Sequence, residues 1–140
     1  MSIESLAVAV ITIFAGFLIL LGVTGLFKPE VAKRFLSALA TSSKKHYLEI
    51  IIRIFVGVAL LIYADSRPAP QVFRIIGWVL IGTSLLLACI PWRWHYQFAL
   101  RTVPAALRFM PLIAFSALSM GGILLFWLLT AGAFSIEGIL

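Results

Sequence analysis

Charge is scarce in this chain. Asp, Glu, Lys and Arg make up 11% of its 140 residues, against 63% hydrophobic. A soluble domain is nearer a quarter charged and half apolar. So short a chain cannot bury that much apolar surface within itself in water. The excess must face a second apolar phase, and lipid is that phase. Length alone allows one domain.

Cysteine is nearly absent. Cys89 stands alone, which excludes an internal disulfide, a Cys-x-x-Cys pair and the chemistry of a quinone-linked disulfide enzyme. It falls near the end of an apolar run and reads as a packed core thiol. Acids are also few: five, against eleven Lys and Arg, for a net charge of +6. The first apolar run contains none, which argues against proton-coupled export through an acid there. No histidine lies at mid-depth in any run, so a b-type haem between helices is not expected. There is no Gly-rich phosphate loop and no Ser–His–acid set that can be placed. Thr12, Thr24, Thr83, Ser84, Ser116 and Ser119 are too scattered to trace an ion path. Residues 1–5 carry Glu4 and no Lys or Arg. They lack the basic start of a secretory signal, so the first run reads as an uncleaved span.

What is present is long and apolar. Four runs, 6–27, 47–64, 72–92 and 111–134, are each read as a membrane span. At ~1.5 Å per residue the first covers ~33 Å, enough for a hydrocarbon core of ~30 Å. Backbone groups in lipid must be satisfied within the segment, so each run is a helix. The expected fold is an all-α integral membrane protein: a four-transmembrane-helix bundle with short interfacial amphipathic helices after spans one and three.

The connections set its orientation. Lys28, Lys33, Arg34, Lys44 and Lys45 lie between spans one and two, and Arg93, Arg101 and Arg108 between spans three and four. The turn between spans two and three, with Pro68 and Pro70, holds only Arg67 and, at its edge, Arg74. The positive-inside rule places the two long basic connections in the cytoplasm and both termini on the non-cytoplasmic side. The compact chain fits a bacterial inner membrane. These basic residues read as contacts to anionic lipid headgroups and not to nucleic acid.

Both long connections open with proline. Pro29-Glu30 suits a helix start, and Val31, Phe35 and Leu39 mark an apolar line through a short amphipathic helix. The segment 91–98 mixes tryptophan, histidine and arginine as interfacial segments do, and Pro104 and Pro111 are expected to break it before span four. Trp92, Trp94, Tyr47, Tyr63 and Trp127 fall near run ends, as aromatic belts do. Two weak repeats are visible: a duplicated span–proline–helix–span unit, or an inverted relation pairing Arg53 to Gly57 with Arg74 to Gly77.

The most distinctive polar cluster is His46, Glu49 and Arg53, spaced i, i+3, i+7 on one face at the start of span two. An ionisable group in a span marks a ligand or partner by default. The competing reading is a local Glu49–Arg53 pair in the favourable i, i+4 order, with Arg53 reaching the interface. His95 is a further ligand or partner candidate, and a metal or pigment there is the one cofactor option. Two histidines are too few for a closed metal site without acids, so no metal site and no cofactor is predicted. Gly16, Gly22, Gly25, Gly57, Gly77, Gly82, Gly121 and Gly122 are small-residue sites where membrane helices can approach closely.

Three functions follow in order. The first is a non-catalytic accessory or scaffolding subunit of a larger membrane complex, or a homo-oligomer, with other membrane subunits or its own copies as partners. The second is a small transporter or lipid-handling protein with an anion or headgroup site at the start of span two. The third, a membrane enzyme, requires His95 or Cys89 to converge on the His46 cluster.

Overall fold

The computed structural model describes residues 2–40, 42–65 and 70–137. All the elements among these are helical. Four helices are long and apolar enough to cross a membrane, and the chain is an all-α integral membrane protein.

Helix α1 runs Ile3–Phe27. Ser2 caps it, its Oγ accepting from the Ser5 N–H at 3.1 Å. It ends because Lys28 precedes a proline, and that position is pushed out of the helical region. Proline, harmless where no N–H is needed, then opens α2, Pro29–Ala40.

Helix α2 is amphipathic, but its buried line differs from the expected one. Val31 is exposed, while Ala32 is buried, and Phe35, Leu36 and Leu39 line a cleft described below. Ala32, Phe35, Leu36 and Leu39 follow the i, i+3, i+4, i+7 pattern of a single apolar face. The Phe35 ring lies 6.1 Å from that of Phe17. Phe17 sits ~15 Å along α1 from its end, so α2 inclines back along α1 instead of lying flat beyond it.

Helix α3, Ser43–Ala64, starts earlier than the apolar run because Lys44, Lys45, His46 and Glu49 are helical as well. Helix α4, Pro70–Cys89, ends short of the predicted residue 92. Pro91 instead caps α5, Trp92–Ala106. The turn expected from Pro68 lies outside the described residues.

Neither Pro104 nor Pro111 breaks the chain. Pro104 is tolerated inside α5, a 3₁₀ turn at Leu107–Phe109 follows, and Pro111 falls in the first turn of α6, Met110–Glu137. In that first turn a missing N–H costs no intrahelical bond.

The four spans form a row. Helix α6 lies along α1, α1 meets α3, and α3 lies along α4. Among the described residues α4 and α6 share no comparable seam. The core is correspondingly slender, built on Ile11, Leu60, Phe73 and Leu124. Tyr63 belongs to it: the residue is buried, its ring 5.0 Å from Phe73 and edge-on, so it is no part of an aromatic belt.

Glycine sets the closest approaches. A Cβ on Gly57 would lie 2.7 Å from Ile81 Cγ1 and 3.0 Å from the Gly77 carbonyl oxygen. A Cβ on Gly77 would lie 2.9 Å from the Gly57 oxygen and 3.1 Å from Leu61. Each glycine thus faces the other and is covered by the residue four beyond its partner. The α3–α4 crossing is locally two-fold. Gly22, Gly25 and Gly121 line the α1–α6 seam against Leu118, Ala114 and Ile19 respectively. Gly16, Gly82 and Gly122 meet nothing within 4 Å and take no part in packing within the chain.

Candidate functional site

Helix α3 opens on a run of polar residues, and neighbouring helices divide them. Lys45, Glu49 and Arg53 recur every four residues, which places them in one stripe down the helix. Glu49 Oε1 and Arg53 Nη2 are 3.1 Å apart, each side chain about one-third exposed at 36%. This is the pair expected from the i, i+4 order.

The stripe forms one wall of a cleft of about 660 Å³. The other walls are apolar: Phe14, Phe17, Leu18 and Leu21 of α1, Phe35, Leu36 and Leu39 of α2, and Ile75, Ile76, Val79 and Leu80 of α4. Met120 of α6 reaches its edge. The cleft exists because the row of spans does not close, leaving α2 to fold back over the gap. Lys45 was not singled out with Glu49 and Arg53 in the sequence, although the same four-residue spacing carries it.

His46 turns the other way. It is 2% exposed, and its ring lies 4.2 Å from His95, 5.4 Å from Tyr47 and 6.1 Å from Trp92. The face proposed for His46, Glu49 and Arg53 is therefore split. Glu49 and Arg53 border the cleft, while His46 is buried under α5. His95 does converge on this cluster, and the histidine pair joins α5 to the first turn of α3.

Burial holds the His95 pKa below the ordinary imidazole value; the neighbouring His46 lowers it further, and Glu49 acts in the opposite sense. His46 Nε2 is buried with no hydrogen-bond partner among the described residues. An unmet buried nitrogen carries a real cost. Among the described residues, no group of three or more His, Cys, Asp or Glu is placed to hold a metal ion.

The remaining candidates lie outside both features. Cys89 is exposed, so the reading of it as a packed core thiol is corrected. Lys33 pairs with Glu30 at 3.1 Å. Lys28, Arg34, Lys44, Arg93, Arg101 and Arg108 are exposed, as headgroup contacts must be. Arg101 borders a shallow hollow on α5 with Trp94, Gln97 and Phe98. Arg74 pairs with Asp65 at 2.7 Å, joining the start of α4 to the end of α3.

The fold and cleft thus define a small helical membrane protein with an open, one-sided apolar groove bordered by charge. Compared with protein-family models, with curated proteins and with solved structures, the chain matches none.

Proposed function

We propose that this chain is a lipid-handling membrane protein that takes an amphiphile into the cleft between α1, α2, α3 and α4. One observation carries the reading: the cleft is apolar on three walls and bears the Lys45–Glu49–Arg53 stripe on the fourth. Its volume falls within the range of ligand pockets, roughly 300–1,000 Å³. Intramembrane charge is costly and marks a ligand path. Here it borders apolar space, as an amphiphile requires.

The clustering of Lys28, Lys33, Arg34, Lys44, Lys45, Arg93, Arg101 and Arg108 at the α2–α5 end supports a cytoplasmic position for that end. Both termini are then non-cytoplasmic, and the bacterial inner membrane is the proposed location.

Native mass spectrometry from a non-ionic detergent tests the function. Wild type is expected to retain a bound amphiphile, and the cleft-filling double variant Leu39→Trp/Val79→Trp to lose it. An empty wild type, or an equally loaded variant, overturns the reading.

A second reading has its own observation. Gly16, Gly82 and Gly122 would admit a Cβ freely, yet small residues in spans serve close helix approach. They suit an accessory subunit or a self-associating chain whose partner covers these faces.

A further inference from the structure

We propose that the cleft is a site for one single-chain amphiphile with an anionic head, a phosphate or a carboxylate, held between Lys45 and Arg53. This rests on the lipid-handling reading and narrows it.

Volume argues for one chain. A methylene occupies about the space of a water molecule, ~30 Å³. A cleft of about 660 Å³ therefore holds roughly 22 such groups, enough for one chain of about 16 carbons and a small head. Two such chains exceed that volume, so a second tail would lie outside it, on the open side of the groove. The cleft is elongated along the spans: its lining covers residues 14–21 of α1 and 45–53 of α3, ~10 Å and ~12 Å along their helices.

Charge argues for an anion. The stripe holds two cations and one acid. Glu49 engages Arg53 at 3.1 Å, and no ion pair occupies Lys45 among the described residues. A guanidinium offers five N–H donors, so one carboxylate contact leaves others for a second acceptor. A head bearing negative charge balances Lys45 and shares Arg53 with Glu49. Lys45 is exposed as well as cleft-lining, and a neutral head gains nothing from its charge. Charge-assisted hydrogen bonds are the stronger kind, so head charge should dominate the discrimination.

Three probes with matched tails test this by native mass spectrometry: hexadecyl phosphate, hexadecanol and dihexadecyl phosphate. Wild type is expected to bind one hexadecyl phosphate about tenfold or more tighter than hexadecanol, the scale of one charge-assisted bond. It should bind dihexadecyl phosphate more weakly than the single-chain phosphate. Lys45→Gln should lose most of the preference for phosphate. Glu49→Gln, which removes the competing acid, should bind the phosphate more tightly, a gain that a purely structural ion pair would not produce. Equal affinity for the phosphate and the alcohol overturns the anionic head. Tighter binding of the two-chain phosphate overturns the single chain. In both cases lipid handling stands. No binding of any probe, or undiminished binding by Leu39→Trp/Val79→Trp, removes lipid handling itself.

Discussion

The imidazole rings of His46 and His95 lie 4.2 Å apart, inclined by 30°. His46 belongs to α3 and His95 to α5, so the stack ties an amphipathic helix to the first turn of a span. The tie adjoins the cleft through Glu49, which borders the cleft, pairs with Arg53 and acts on His95.

This contact should respond to pH. Burial first, and His46 second, hold the His95 pKa below its ordinary 6.5. Between those two values undocked α5 binds more protons than docked α5. Docking is then strongest above pH 6.5 and weakens as pH falls through the window. Hydrogen exchange over 92–106, corrected for intrinsic rates, should be slower at about pH 7.5 than at about pH 5.5. His95→Phe should flatten the difference. Equal protection of the wild type at both values would show that the stack does not sense protons.

The α3–α4 crossing should be intolerant of side chains at Gly57. A Cβ there meets the Gly77 carbonyl oxygen at 3.0 Å, and that atom is backbone. Gly57→Ala should cost about 1–3 kcal/mol, the range for overpacking a close contact. Gly16→Ala, where a Cβ meets open space, should be neutral or slightly stabilising through helix propensity. Thermal unfolding in one detergent checks both. Equal behaviour of the two variants would remove the close approach as a packing determinant.

Much of this architecture is legible in the sequence, because apolar runs and prolines act locally. The spans, and the two amphipathic helices after α1 and α4, follow from hydropathy and from Pro29 and Pro91. Three features do not follow. Pro111 looks like a breaker but lies in a first turn, where its missing N–H is free of cost. Val31 shares its spacing with Phe35, yet packing selects Ala32. His46, Glu49 and Arg53 share an arc of helix, and so do Lys45, Glu49 and Arg53. Which neighbours cover each edge of that arc decides the site, and those neighbours are set by α5 docking and by the unclosed row of spans. Spacing along α3 carries no record of either.

The core is thin enough for one residue to matter greatly. Phe73 is 1% exposed and packs edge-on to Tyr63 in the seam between α3 and α4. Phe73→Ala should cost about 3–5 kcal/mol, through lost burial and the cavity left behind. Phe126, which is 60% exposed on α6, should tolerate the same change with little loss. Paired melting curves decide this, and comparable losses would mean that Phe126 is covered by another chain.

The outward glycines give the sharpest test of the subunit reading. Gly82 lies on α4 with nothing within 4 Å of its absent side chain, and Trp78, Leu85 and Leu86 beside it are exposed and do not line the cleft. If a partner helix seats there, Gly82→Leu should abolish copurification or self-crosslinking while leaving the melting temperature of the isolated chain within about 1–2 °C. A surface change away from packing shifts stability by no more than about 0.5 kcal/mol. The same substitution should leave amphiphile binding intact, because Gly82 does not line the cleft. Loss of amphiphile with unchanged association would reverse the assignment of the two faces. Unchanged association with intact binding would mean that the α4 face meets only lipid, and the chain would then act through its cleft alone.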